Sequence, residues 1–326
     1  MTSAIRRVAE PVTVMGGGTG TYTIIRGLRA TIGEGLLTSI HSTADSGGSS
    51  RKLMDEFGLP LPMGDLRQGL VAQSRSRRLW RDLFAYRFAP GEVPGVGGHS
   101  LGNLILRALE DLNHGNLMEA LEDAEEMLNT VGHVVPVALD QATLCAELAD
   151  GTTLLGEDRI DQRGQPEPAI GRVYLDPVPT VTSRARKALE RSARIIIGPG
   201  DLYTSILPTL LVAGVCEAIA DSDAEVIYLV NLMTKRGETD GYRASDFVEV
   251  FARYLGREPD TVLVHTAAHR PERLAQYAAD GAAPVEPDVE RVRALAGRVL
   301  TGDFATEQQF IRHDADKVIA ALWPQS

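Results

Sequence analysis

The chain's first patterned feature is a short apolar run, Val12 to Met15, that stops at Gly16-Gly17-Gly18 and passes into TYTIIRGLRATI, whose apolar positions recur at helical spacing. An unbroken apolar run is what a parallel strand buried on both faces requires, whereas a half-exposed strand alternates. Strand, glycine loop and helix in succession predict the opening of a doubly wound α/β fold. LLTSIHSTAD repeats the plan and ends in the polar turn Asp45-Ser46-Gly47-Gly48-Ser49-Ser50. ARIIIGPG, AEVIYLVNLM and TVLVHTA predict three further buried strands, the last of them the final core strand. Residues 66–88, a segment from about Ser100, LMEALEDAEEMLNT, YTSILPTLLVAGVCEAIA and DFVEVFARYLG predict helices. Between about 131 and 176 the period changes to two: VVPVAL, TLCAELADGTTLLGE and AIGRVYLDP alternate, with Asp150-Gly151 as a hairpin signal. This predicts an antiparallel β insertion. The stretch from about 285 to 326 is helix-prone. The whole reads as one α/β domain over 1–326, mostly parallel in its sheet.

Composition narrows the function. At 326 residues and 44% hydrophobic, the chain can bury one large core. Its formal net charge of -11 opposes non-specific nucleic-acid binding, which needs a basic surface to release counterions, and opposes an anionic membrane surface equally. No apolar run approaches the roughly 18 residues of a membrane span, and MTSAIRRVAE has no apolar signal core, so a cytoplasmic protein is expected. Cys145 and Cys216 form no metal or redox motif and are expected to be reduced thiols. A homodimer is the candidate assembly.

The candidate chemistry lies in six polar, glycine-rich segments. Gly16, Gly17, Gly18, Thr19 and Gly20 lie between a strand and a helix, where the backbone can approach an anion closely and the helix offers unpaired N–H groups. No Gly-Lys-Ser/Thr closes this loop, so it is not a Walker A motif. Thr21 stands where a dinucleotide fingerprint needs its third glycine, which argues against an NAD-dependent oxidoreductase. Asp45, Gly47, Gly48, Ser49 and Ser50 combine a carboxylate, hydroxyls and flexible backbone, suited to a ribose, a sugar or a metal–phosphate complex. Asp65 and Arg67 follow Gly64 as a binding pair or a surface ion pair. His99, Ser100 and Asn103 lie where a glycine turn enters a helix, with Ser100 or Gly98 as its cap. Gly198, Pro199 and Gly200 form a second strand-to-helix loop, with Tyr203, Thr204 and Ser205 as donors. Asn231 ends a strand, and Thr234, Lys235, Arg236, Glu238, Thr239 and Asp240 crowd the loop after it. In a parallel sheet the strands' carboxyl ends share one edge, so these segments can form one elongated cleft for a phosphate-bearing nucleotide.

These stretches, GGGTGTYTIIRGL, ADSGGSS, MGDLRQGLVAQS, GHSLGNLIL, IIIGPGDLYTSILPTL and NLMTKRGETDGY, resemble the CofD-like family in order, and within it the gluconeogenesis-factor (YvcK) branch. IRHDADKV resembles the family's C-terminal Arg-His-Asp element. The resemblance implies a Rossmann-like three-layer sandwich and a nucleotide-diphosphate site. The YvcK branch implies a regulatory protein that binds nucleotide sugars such as UDP-N-acetylglucosamine and affects carbon metabolism, cell-wall synthesis and cell shape. Arg312 would then sit on the uracil or phosphate side. The other branch implies a Mg²⁺-dependent 2-phospho-L-lactate transferase, with Asp45 and Asp65 as candidate catalytic groups. The family's loop usually reads A-D-D-G-G-S-S-G. Here Ser46 replaces a carboxylate and Arg51 a glycine, which weakens a Mg²⁺ site and favours binding through charge and backbone. No resident metal is assigned.

Overall fold

The computed structural model describes residues 8–44, 61–91, 96–163, 168–306, 308 and 310–324. Its centre is a seven-stranded, wholly parallel sheet in the order β10-β9-β8-β7-β1-β2-β3. These are β1 (Val12–Met15), β2 (Leu37–His41), β3 (His133–Pro136), β7 (Arg194–Ile197), β8 (Glu225–Leu229), β9 (Thr261–His265) and β10 (Arg298–Gly302). From β1 the chain winds outward to β2 and β3, then returns to β7 on the other side of β1 and winds the opposite way. The β1/β7 boundary is therefore the topological switch point, the place where an open α/β sheet forms a crevice at its strand carboxyl ends.

Both faces of the sheet are covered. Val12, Val14, Ile196, Ile227 and Leu263 share one core with α1 (Gly18–Thr31) and α13 (Ala315–Leu322). Ile24, Ile25 and Leu28 of α1 are fully buried there, each worth about 1.5–3 kcal/mol of hydrophobic transfer. The other face buries Met15, Ile40, Ile195, Ile197, Val226 and Tyr228 beneath α7 (Ser183–Arg191), α9 (Val215–Ala220) and α10 (Ala244–Leu255). Tyr228 stacks on Phe251 of α10 with ring centroids 4.1 Å apart. A third core gathers α2 (Gly64–Gln73), α3 (Arg78–Ala85), α4 (Leu101–Leu112) and α5 (Leu117–Leu128) at the β3 edge. Among the described residues no helix is long and apolar enough to cross a membrane.

The antiparallel insertion is a three-stranded sheet of β4 (Thr143–Leu148), β5 (Thr153–Leu155) and β6 (Ile170–Asp176), with the short α6 (Glu157–Asp161) inside it. Its hairpin turns at Asp150-Gly151, where Gly151 has φ +86° and the Thr152 N–H donates to Asp150 Oδ1 at 2.9 Å. The insertion starts later than the expected 131. VVPVAL is apolar throughout rather than alternating, and Val134 and Val135 are buried in β3 of the main sheet.

Three helical expectations are also corrected. The segment 66–88 breaks at Ser74, whose extended backbone separates α2 from α3. The predicted long helix after Gly200 is a π-turn (Leu202–Ile206), a four-residue α8 (Leu207–Leu210) and then α9, with Gly214 at φ +91° between them. The tail from 285 to 326 is not simply helical. After α12 (Val289–Arg293) it adds β10 beyond the expected last strand, then β11 (Ala305–Thr306) paired with β12 (Arg312–His313), then α13. As an edge strand, β10 is only partly buried and carries no apolar run to announce it.

Candidate functional site

The two strand-to-helix glycine loops meet at the switch point. The Gly198 N–H donates to Met15 O at 3.0 Å, and Thr21 Oγ1 donates to Pro199 O at 2.8 Å. The loops approach so closely that a Cβ on Gly20 would lie 2.9 Å from Pro199 O, and one on Gly200 would lie 3.0 Å from Gly17 O. Gly16 and Gly18 hold φ of +134° and +75°, a region that side chains disfavour. The N-cap of α1 is Gly17, which has no side chain to cap it, and the first turn of the helix holds no acidic residue. Thr19 and Gly20 of its first turn line the cleft, which therefore lies at the positive end of the helix dipole.

A neutral network supports the first loop from below. His41 Nδ1 lies 3.0 Å from Gly16 O, and His41 Nε2 lies 2.9 Å from Ser39 Oγ, which accepts from Gln73 Nε2 at 2.9 Å. A carbonyl can only accept, so Nδ1 carries the proton and Nε2 accepts from Ser39. Complete burial lowers the His41 pKa to about 4, with the Gly16 carbonyl opposing the shift, so the ring stays neutral near pH 7.

In front of the loops lies a cleft of about 530 Å³. Of the expected residues it collects Thr19, Gly20, Pro199, Gly200, Asn231, Thr234 and Arg312. Asn231 Nδ2 donates to Gly200 O at 2.9 Å, so this amide first holds the second loop; its buried Oδ1 has no partner among the described residues. Thr234 accepts from the Ala283 N–H at 2.9 Å and ties down the cleft's far wall. Arg312 is exposed at the rim, 5.0 Å over the Phe310 ring.

The cleft also contains charged residues of the loop after Asn231, together with Asp161 and Asp201, which the sequence did not single out. Arg236 is exposed at its rim, and neither it nor Arg312 forms an ion pair among the described residues. Deeper, the Lys235 ammonium is bound by Asp161, by Asp201 at 2.6 Å and by Glu238 at 3.1 Å. Thr204 Oγ1 supports this centre by donating to Glu238 Oε1 at 3.2 Å. Burial, then the Asp201 and Asp161 charges, push the Glu238 carboxyl up to about 7, while Lys235 opposes the rise. Burial alone would lower the Lys235 pKa; Glu238 and Asp201 outweigh it and hold the ammonium well above its usual range. The KRGETDGY motif announced a charged loop, but Asp161 and Asp201 come from distant segments and no spacing rule joins them to it.

Other expected residues sit elsewhere. Tyr203 is buried with its hydroxyl 2.7 Å from that of Tyr242, away from the cleft lining. Ser205 lies in the π-turn, its N–H donating to Asp201 O at 2.9 Å. Arg67, His99, Ser100 and Asn103 are buried around the start of α4. Ser100 Oγ caps that helix by accepting from the Asn103 N–H at 3.3 Å, and Arg67 Nη1 donates to Phe84 O at 3.3 Å. A Cβ on Gly102 would meet Arg67 Cδ at 2.7 Å. Asp65 joins this group to the first glycine loop: a Cβ on Gly17 would be 2.2 Å from Asp65 Oδ2. Asp45, Gly47, Gly48, Ser49 and Ser50 lie outside the described residues.

A parallel sheet with two glycine loops crossing its switch point defines a doubly wound α/β protein with a ligand crevice at that point. The family model described as 2-phospho-L-lactate transferase CofD matches residues 12–305. The gluconeogenesis factor of Halalkalibacterium halodurans is 40% identical over 314 residues, covering 95% of both chains. That of Bacillus subtilis is 38% identical over 318 residues, covering 95% of this chain and 96% of the relative. A crystal structure of a Bacillus halodurans protein superposes with a TM-score of 0.89 at 38% identity, covering 97% of this chain and 100% of that one. The chain therefore belongs to the CofD family, among its gluconeogenesis factors.

Proposed function

We propose that this protein is a regulatory binder of nucleotide sugars, of the UDP-sugar class, that links their level to carbon metabolism, cell-wall synthesis and cell shape. The observation that carries this reading is the joining of two glycine loops at the switch point, with Arg236 and Arg312, which form no ion pair among the described residues, at the rim of the same cleft. The diphosphate would lie across the first turn of α1 and the Gly198–Gly200 backbone. Arg236 and Arg312 would supply the counter-charge that an acidic protein must provide locally. The sugar hydroxyls would reach Asn231 Oδ1, a buried acceptor without a partner among the described residues. A cleft of about 530 Å³ falls within the usual range for small-molecule sites, about 300–1,000 Å³.

Mg²⁺, which the transferase branch implies, fits these residues poorly. Among the described residues the carboxylates spaced to share a cation are Asp161, Asp201 and Glu238, and Lys235 already occupies their centre. The reading is therefore metal-independent binding rather than group transfer. A thermal-shift screen tests it, using UDP-N-acetylglucosamine, UDP-glucose, GDP, NAD and ATP with and without Mg²⁺. The expected result is a UDP-sugar shift indifferent to Mg²⁺, equivalent to about 2.7 kcal/mol at a hundredfold excess over Kd. A shift confined to GDP with Mg²⁺ would replace this reading with the transferase.

A further inference from the structure

A second cavity, about 490 Å³, opens on the opposite side of the molecule, near the amino ends of the strands. Its floor departs from the rule for this kind of sheet. A parallel strand buried on both faces is expected to be apolar throughout, and one row higher Met15, Ile40 and Val135 obey that rule. The row below them is polar on three adjacent strands: the register sets Thr13 beside Thr38 and Thr38 beside His133. All three residues line the cavity.

The roof is α7, which places Arg184, Lys187 and Arg191 along one face at intervals of three and four residues. Like charges at these spacings repel within a helix. Arg184 is relieved by an ion pair with Glu122 of α5. Lys187 and Arg191 form no ion pair among the described residues. A chain of net charge -11 has carboxylates to spare, yet here it keeps two unpaired cations over a hydroxyl-bearing shelf. Ser192 Oγ adds a third hydroxyl, 2.7 Å from Thr13 Oγ1.

We propose that this cavity is a second binding site, distinct from the switch-point cleft, for a small organic oxyanion. Lys187 and Arg191 would hold the anionic group, the Thr13 and Thr38 hydroxyls would donate to its oxygens, and Val135 and Leu36 would cover its carbon body. Phosphate monoesters and carboxylates share this chemistry.

The test is an amide NMR titration of the full chain with glycerol 3-phosphate and, separately, glutarate. At least one probe should give saturable shifts at Thr13, Thr38 and α7, and the responding probe identifies the anion class. Lys187→Met with Arg191→Met should weaken that binding about tenfold or more, while UDP-sugar binding and the melting temperature stay at wild-type values. Thr38→Val keeps the charges and the shape of the side chain, and should weaken binding about threefold; it decides the matter if the double variant does not fold. Shifts that persist in Asn231→Ala would separate this site from the nucleotide cleft. The proposal is overturned if neither probe moves these amides at concentrations of several millimolar, or if the variants bind as tightly as wild type.

Discussion

The two walls of the switch-point cleft are held in different ways. The wall formed by the loops after β1 and β7 is held mainly by backbone contacts and neutral side chains, with His41, Ser39 and Gln73 relaying hydrogen bonds to Gly16 O; its two carboxylates, Asp65 against Gly17 and Asp201 reaching Lys235, lie at its margins. The facing wall, the loop after β8, is organised by charge: Lys235 gathers Asp161, Asp201 and Glu238 from three segments of the chain. The hydrogen-bond relay beneath the first loop is neutral and should be insensitive to salt. The charged wall consumes one cation on its own carboxylates and leaves Arg236 for the ligand. A binding site can thus draw anion affinity from both sides while only one of them responds to pH near neutrality.

The largest expected effect breaks the charged wall. Lys235→Met leaves three carboxylates without their shared cation and should cost about 3 kcal/mol, the low end for a buried pair because Asp161 and Asp201 are partly exposed. The loss should shrink as pH falls. A carboxyl with a raised folded pKa, like Glu238, takes up a proton more readily in the folded state, so its contribution to stability declines as pH rises from about 4.5 through 7. Chemical denaturation of the variant at about pH 5.5 and pH 8 checks both statements.

Acid should act on the neutral wall in the opposite sense. Burial lowers His41 to about 4; outside this wall, in β12, burial and the nearby His265 charge lower His313 to about 3. A histidine with a depressed folded pKa stabilises the fold above its unfolded value near 6.5, and that stability is lost as pH falls toward the folded value. His41 alone should contribute about 3 kcal/mol of acid lability. His41→Asn preserves a donor to Gly16 O and should flatten the stability profile between about pH 6.5 and 4.

Gly17→Ala tests the contact between the loop and Asp65. Its Cβ would fall 2.2 Å from Asp65 Oδ2, so a cost of about 1–3 kcal/mol is expected from overpacking, read as a fall in melting temperature together with weaker UDP-sugar binding. The smallest effect belongs to the rim. Arg236→Ala and Arg312→Ala should each weaken UDP-sugar binding about tenfold, near the low end for a charge-assisted hydrogen bond. They should leave stability unchanged, and calorimetry measures the difference.

Much of the neutral wall was legible in the sequence. Apolar runs closing on glycine identify β1 and β7, and their loops, at the carboxyl ends of parallel strands, are expected on one crevice. Little of the charged wall was legible, because Asp161, Asp201 and Lys235 converge only through the tertiary fold. The errors in the fold have similar physical origins. VVPVAL, grouped with the alternating segments after it, is an unbroken apolar run of the kind a parallel strand buried on both faces requires. β10 is half exposed and leaves no apolar signature. The residues after Gly200 have helical composition, but Gly214 and the π-turn divide them into short pieces.

The central claim is that the cleft binds a nucleotide sugar through backbone and arginine, without a metal. Isothermal titration of the full chain with UDP-N-acetylglucosamine, in chelator and then in Mg²⁺, tests it most directly. The account predicts saturable binding with the same Kd in both conditions. No heat at millimolar ligand, or binding that appears only with Mg²⁺, would contradict it.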